Sequence, residues 1–266
     1  MPLAKRKRSE DCNIELVQID QNDLNDLLFK LINQKAVQNP KRLMNFVNTT
    51  KLLLQQGADP NATNKAGLTP LFKMTQKNSI NAEIVLELLN HGANPNVTDK
   101  VGNTPLIEIC SQSQNIDAIS HLIQFGADVN SKCMYGETAL HSASYKTNAE
   151  VMSKLLENGA EPNAKQDDLN TSVHLLTMNS KEKSTNTILK AFELLYKYPF
   201  NPNGQDELGY TPLHSAILYD GSVLVVNYLL DIGVDWNIRS EGFSSLEAAL
   251  LIKKMDMVKC MLLKQN

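Results

Sequence analysis

Apolar residues recur at helical spacing in short stretches along the chain, and a turn residue follows each stretch. In the run from Ile84 to Leu89 the apolar side chains fall at the spacing of an amphipathic helix. Gly92 follows this run, as expected of a residue that ends a helix in the left-handed conformation. The pattern predicts many short helices separated by tight turns.

A short motif that begins with threonine or serine opens six of these predicted helices. The motif starts at Thr69, Thr104, Thr138, Thr171, Thr211 and Ser244. A hydroxyl at this place accepts hydrogen bonds from the first N–H groups of a helix, and a following proline lacks only an N–H that would have no partner there. The motif recurs at about 33 residues, with one interval about seven residues longer, which indicates a repeat protein.

A second motif, Gly-Ala-Asp-x-Asn and its variants, runs in phase with the first. It begins at Gly57, Gly92, Gly126 and Gly159, with degraded copies at Pro199 and Gly233. A glycine also precedes the threonine motif by two positions in every copy but one, where Leu169 takes its place. Since this position is a tight turn that favours a positive φ, we expect a strained or altered turn at Leu169.

Together these motifs resemble the ankyrin repeat over roughly residues 57 to 250. The resemblance implies an all-α solenoid of antiparallel helix pairs with short β-hairpin finger loops. It also implies that the fingers and the first helix of each pair line a concave, protein-binding face.

Seven helix pairs are predicted. Residues 1–20 are expected to form a disordered basic tail, and residues 21–266 to form the repeat domain. The domain divides into an N-terminal cap (21–64), five repeats (65–99, 100–133, 134–166, 167–206 and 207–239) and a C-terminal cap (240–266). The inward residues expected in the two caps are Leu24, Leu27, Leu28, Leu31 and Ile32 at one end and Met257, Val258, Met261 and Leu262 at the other.

Composition excludes several classes of protein. The 266 residues carry a net charge of −3, too little to predict a nucleic-acid-binding face. The four cysteines have no CxxC spacing, so neither a disulfide framework nor a zinc site is expected. There is no run of about 18 consecutive apolar residues that would predict a membrane span.

Candidate catalytic chemistry reduces to three histidines, His141, His174 and His214, each at the end of a threonine motif. No serine, cysteine or carboxylate constellation accompanies them. In the family that the chain resembles, this histidine hydrogen-bonds neighbouring loops. We therefore expect no enzyme activity, no cofactor and no metal.

Partner-binding residues are sought where the repeat itself has no use for an aromatic or large apolar side chain. Such residues occupy the fingertips and the ends of the first helices: Met134, Tyr135, Tyr145, Tyr210, Leu218, Tyr219 and Phe243. Large rings on a binding face are typical hot spots because they bury much area with few rotatable bonds. The alternative is that some of these side chains pack against adjacent fingers.

The basic run Lys5, Arg6, Lys7 and Arg8 resembles a short nuclear-localisation signal, read by an import receptor. Its alternative is a solvated charged tail. With this run and no predicted membrane span, the expected location is the cytoplasm, the nucleus or both.

Two functional classes follow. The first is a monomeric, non-catalytic adaptor or inhibitor that binds a protein, with a weaker resemblance to inhibitor-of-NF-κB-like proteins or to a host-targeting binder. The second is a scaffold or targeting subunit of an enzyme complex, such as a ubiquitin ligase or a phosphatase. The chain ends soon after the last predicted helix, which lowers the expectation of the second.

Overall fold

Consecutive short helices pair and stack along the whole described part of the chain. The computed structural model describes residues 20–33, 40–76, 80–112, 115–178, 184–219 and 221–264. The helices are α1 Gln21–Ile32, α2 Pro40–Gln55, α3 Pro70–Thr75, α4 Ala82–Asn90, α5 Pro105–Gln112, α6 Ile116–Gln124, α7 Ala139–Tyr145, α8 Ala149–Glu157, α9 Ser172–Met178, α10 Thr185–Leu195, α11 Pro212–Leu218, α12 Val223–Asp231, α13 Ser245–Leu251 and α14 Met255–Leu263.

The pairs stack in register, so that first helices pack on first helices and second helices on second helices. Thus α5 contacts α3 and α7, while α6 contacts α4 and α8. Ile109 and Ile119 lie fully buried between the two layers. The core is therefore a strip that runs the length of the stack, and the predicted all-α solenoid is confirmed.

The threonine motif forms the helix start that the sequence predicted. The hydroxyl of Thr69 accepts a hydrogen bond from the Phe72 N–H at 3.2 Å. At Thr138 and Thr211 the side chain three positions later bonds back to the capping residue, which closes a reciprocal capping box. Ser244 and Glu247 form the same box with a carboxylate, and the N–H of Ser244 lowers the pKa of Glu247.

Each finger is a tight hairpin, and the last one differs in its turn. In the earlier fingers a single residue near the tip adopts a positive φ, and Leu169 does so at 60° in the place of glycine, as the sequence predicted. In the last finger two successive residues, Glu241 and Gly242, have positive φ values of 51° and 88°. Such a turn matches the twist of paired strands. It explains why β1 (Arg239–Ser240) and β2 (Phe243–Ser244) pair here, the one sheet among the described residues.

An asparagine ladder joins the loops on the opposite edge of the stack. Asn96 donates from Nδ2 to the Gly126 carbonyl at 2.9 Å and accepts the Asp128 N–H at 2.9 Å. The same pair of bonds recurs at three other positions: Asn61, Asn130 and Asn163. The last residue of the Gly-Ala-Asp-x-Asn motif therefore links each repeat to the next.

The N-terminal pair reproduces this ladder without the motif. Gln21 of α1 donates to the Gly57 carbonyl, and Asn25 accepts the Asp59 N–H at 2.8 Å. Two helical side chains one turn apart thus replace one loop asparagine. This substitution lets a helix pair with no preceding loop motif join the stack.

The end helices correct two of the expected inward residues. Leu27 is exposed and Phe29 is buried instead, because α1 packs on both α2 and α3 and its buried face is turned toward Phe29. At the other end Leu262 is 46% exposed, whereas Cys260 is buried. Helix α14 packs against α12 and α13, and Leu262 lies on the side that these neighbours do not cover.

Within the described ranges, no helix has the length and apolar character needed to cross a membrane.

Replacing Gly136 by alanine is expected to destabilise the stack more than replacing Gly67. Both residues have a positive φ, 70° and 80°, so both variants carry a backbone strain of about 1 kcal/mol. A Cβ at Gly136 would also lie 3.0 Å from the Asp167 backbone nitrogen, whereas a Cβ at Gly67 meets nothing within 4 Å. Urea unfolding should show a further loss of about 1–3 kcal/mol for Gly136→Ala. Equal losses for the two variants would show that the fingers do not pack as described.

Candidate functional site

A groove runs between the fingers and the first helices in the middle of the stack. It has a volume of about 450 Å³. Ser111 of α5, Tyr145 of α7 and Leu175 of α9 line its floor, and Glu137 and Gln166 line the finger side. We call the surface formed by the fingers and the first helices the finger face.

A smaller pocket of about 100 Å³ lies farther along the finger face, between the last two fingers. Tyr210, Leu218 and Phe243 line it together with Leu251 and Ile252 of the last repeat. Three of the seven predicted partner-binding residues therefore meet at one place. Tyr145 lines the other groove, so the remaining three are the fingertip residues Met134 and Tyr135 and, at the end of α11, Tyr219.

The seven predicted partner-binding residues differ in how far their side chains are exposed to solvent. Met134, Tyr135, Tyr145, Tyr219 and Phe243 are exposed, as a binding face requires.

The other two, Tyr210 and Leu218, are partly buried. The Tyr210 hydroxyl donates to Glu241 at 3.1 Å, and its ring lies 6.0 Å from that of His214. Desolvation, followed by the hydrogen bond to Glu241, raises the pKa of Tyr210. Tyr210 therefore joins neighbouring fingers, which is the packing alternative that the sequence left open.

Backbone hydrogen bonds tie four successive fingertips, those at 100, 134, 167 and 207, into one row. The Met134 N–H donates to the Val101 carbonyl at 2.9 Å, and the Asp167 N–H to the Tyr135 carbonyl at 3.0 Å. The Glu207 N–H donates in turn to the Asp168 carbonyl at 3.0 Å. Because these bonds already order the loop backbone in the free protein, little conformational entropy is lost there on binding, which lowers the entropic cost of association.

The three motif histidines are structural. His141 accepts the Thr138 N–H at Nδ1, at 3.2 Å, and its Nε2 lies 3.0 Å from the Ala164 carbonyl, just before the following finger. With Nδ1 as acceptor, the proton is on Nε2, which donates to that carbonyl. His174 and His214 make the same pair of contacts, to the carbonyls of Tyr210 and Phe243. Each ring thus links one helix start to the following finger, as expected.

Burial holds these imidazoles neutral. Desolvation lowers the pKa of His141 to about 4 and also lowers the pKa values of His174 and His214. The thiol of Cys110 is buried too, and its pKa is raised by desolvation. Neither group is a poised base or nucleophile.

Comparison with known families agrees with the motifs and the stack. One family model, described as "Ankyrin repeats (3 copies)", matches residues 34–132 and 78–166, and a second, "Ankyrin repeats (many copies)", matches residues 194–246. The two cover more than half of the chain.

The chain belongs to the ankyrin-repeat family.

Ankyrin repeats are protein–protein interaction modules, and the proteins built from them are generally non-catalytic. A search of the curated proteins finds no match to this chain. The narrower likeness to inhibitor-of-NF-κB proteins therefore stays a prediction, as does the expected monomer.

Some predicted features of this ankyrin-repeat protein lie outside the described residues. These are Lys5, Arg6, Lys7 and Arg8, the proposed import signal, and most of the polar insertion at 179–186. Across the ranges that are described, no three histidine, cysteine or acidic side chains gather in a way that would hold a metal ion.

Sequence reasoning missed Leu169 as an apolar residue of the fingertip row. Leu169 is 40% exposed while its backbone has a positive φ, which is strained for a branched side chain. The residue was recognised as an irregular turn and not as part of the finger face. The absence of glycine from this turn could have identified Leu169, because another residue is strained there and backbone strain often marks a functional position.

Acidification should weaken the stack through His141. Its pKa is 6.5 when unperturbed and about 4 in the folded protein, so between these values only the unfolded chain binds the proton. The free energy of unfolding should then fall, as pH drops from about 6.5 to 4, by up to about 1.4 kcal/mol per pH unit from this residue. Urea unfolding at several pH values measures the slope. The variant His141→Gln is the control and should show a shallower slope; an unchanged slope would contradict the assignment.

Replacing Leu169 by glycine should stabilise the fold. The change removes the strain of a branched residue at a φ of 60°, which outweighs the greater freedom of glycine in the unfolded chain and leaves a gain of up to about 1 kcal/mol. The matched control is Leu208→Gly in the next finger, where φ is not positive and the change should cost about 1 kcal/mol. Thermal melts of both variants decide the matter, and a lower melting temperature for Leu169→Gly would show that the side chain serves folding.

Proposed function

We propose that this ankyrin-repeat protein is a non-catalytic adaptor or inhibitor that binds a protein partner through the finger face between residues 134 and 243. The observation that carries the proposal is that Met134, Tyr135, Tyr219 and Phe243 are all exposed on the finger face, which also holds the groove and the smaller pocket. Neither the capping boxes nor the histidine and asparagine ladders use these side chains. Large exposed apolar groups on one face are typical of protein-binding sites.

The absence of catalysis is part of the same proposal. The histidines that a catalytic hypothesis would use are buried, neutral and engaged at both ring nitrogens. Apart from serine, glutamine, tyrosine and leucine side chains, the groove is lined by one cation, Lys146, and one carboxylate, Glu137, which accepts a hydrogen bond from Ser142 at 2.5 Å. This lining suits polar recognition more than acid–base chemistry.

The proposal places the binding event in the cytoplasm or the nucleus. This part rests on the Lys5–Arg8 run in the sequence. An adaptor or inhibitor of this kind acts by occupying a surface of its partner, so that its effect depends on affinity and on concentration.

Aromatic truncation tests the proposed face. The variants Tyr219→Ala and Phe243→Ala each remove a ring that is exposed in the free protein. The melting temperature of each should therefore lie within a few degrees of that of the parent. If each ring enters a partner, affinity should fall about thirtyfold, the effect of a hot spot of about 2 kcal/mol. Tyr196→Ala is the matched control, because Tyr196 is 60% exposed at the end of α10 on the other layer of the stack.

The measurement has two stages. Quantitative affinity capture from cells of the source organism compares the parent, the double variant and the Tyr196→Ala control. A partner that the control retains and the double variant loses is then purified and titrated by calorimetry. Binding that survives both ring truncations, or that depends equally on Tyr196, would contradict the proposed face.

A further inference from the structure

The fingertips reverse their charge along the stack. The first loop residues of the six successive fingers are Lys65, Lys100, Met134, Asp167, Glu207 and Glu241, and all six side chains are exposed. Two cations thus lie toward α3 and three carboxylates toward α13. In the first five fingers this position of the turn accepts most residues, so the turn itself does not require the change from lysine to aspartate and glutamate. Glu241 lies in the different, two-residue turn of the last finger.

Large apolar side chains lie beside the three carboxylates. Leu169 comes two residues after Asp167, Leu208 follows Glu207 directly, and Phe243 comes two residues after Glu241. All three apolar side chains are exposed. Each of the last three fingers therefore offers a carboxylate and an apolar surface together.

Three cations at the stems of the fingers at 134, 167 and 241, two residues before the tips, are engaged in hydrogen bonds. Lys132 donates to the Lys165 carbonyl at 3.1 Å, and Lys165 donates to the Gln205 carbonyl at 3.3 Å. Arg239 donates to the Gly242 carbonyl at 2.6 Å and to Glu247 at 3.1 Å. Their positive charges are held against the protein's own backbone and Glu247.

The two other acidic side chains on these fingers make internal contacts. Asp168 accepts hydrogen bonds from the Asn170 N–H and side chain, and Asp206 is buried and accepts two turn N–H groups. Glu241 accepts the Tyr210 hydroxyl and remains exposed. The carboxylates that face outward at the tips are those of Asp167, Glu207 and Glu241.

We propose that the partner segment bound along the finger face is itself polarised. It presents lysine or arginine together with apolar side chains to the fingers at 167–243, and acidic residues to Lys65 and Lys100. This inference rests on the proposed function, since it concerns the occupant of the same face. Charge complementarity of this kind fixes the direction in which a segment lies and excludes segments of the opposite polarity.

The length of the occupant follows from the stack. Neighbouring helices pack at about 10 Å, so six fingertips span about 50 Å. An extended chain rises about 3.3 Å per residue and covers that distance with about 15 residues. A segment of this length would contact both ends of the row at once.

A random library of 16-residue peptides displayed on phage is the probe. It is panned against the immobilised full chain, and the retained peptides are sequenced. We expect an excess of lysine and arginine with leucine and aromatic residues in one half, and of aspartate and glutamate in the other. No enrichment, or enrichment of peptides without this polarity, would overturn the proposal.

Charge variants then locate the retained peptides. The triple variant Asp167→Asn, Glu207→Gln and Glu241→Gln should weaken their binding at least tenfold in low salt and much less in high salt, because exposed charges are screened. The matched control neutralises three exposed carboxylates on second helices: Glu83→Gln, Glu150→Gln and Glu193→Gln. It should change affinity less than twofold, and equal effects of the two triple variants would overturn the proposal.

Two further measurements separate this inference from the proposed function. Peptides that lose affinity with Tyr219→Ala and Phe243→Ala but not with the charge variants would leave the finger face as the site and overturn only the polarised occupant. Peptides insensitive to both sets would contradict both. Analytical sedimentation of the parent and the acidic triple variant tests whether a second copy of the chain binds the row. A dimer that forms in the parent and not in the triple variant would overturn the proposed peptide segment as the occupant.

Discussion

Each helix pair of this chain is too small to bury its own apolar face, so every repeat depends on its neighbours for a core. The helices of a pair have mostly six to eleven residues in the repeats, far below the length at which an isolated helix is stable in water. Burial of residues such as Ile109 and Ile119 exists only between stacked pairs. The stack is therefore stabilised by contacts between neighbours, and stability is expected to be distributed along it.

Polar ladders decide how the pairs stack. The asparagines bridge the loops on one edge, and His141, His174 and His214 bridge each helix start to the next finger on the other. Apolar contacts alone would fix the position of one helix pair on the next only weakly, because they are not directional. Hydrogen bonds with fixed partners remove that freedom and place the fingertips in one row.

The repeat at 167–206 departs most from the others, and it lies in the middle of the proposed binding face. Its finger has Leu169 in place of glycine, and Gln166 stands where Asn64, Asp99 and Asp206 support three of the other five turns through their side chains. It is also the finger at which the charge of the row changes sign. A repeat that relaxes the folding consensus at several positions has room for residues selected by a partner.

The sequence alone determined the number of helix pairs and the start of the first helix in six of them, because these depend on local spacing and on side chains that act within one or two turns. The role of the motif histidines was expected only from the resemblance to the ankyrin repeat, since each ring bonds to a carbonyl more than 20 residues away. It also located the exposed aromatic positions, since a repeat shows which residues its own folding does not use. Tertiary structure decided the rest. Whether Leu27 or Phe29 is buried depends on the two helices that pack on α1, and the partial burial of Tyr210 depends on the neighbouring Glu241. The fingertip row, with its reversal of charge, arises only when residues some 33 positions apart are brought side by side by the stack, which no local pattern contains.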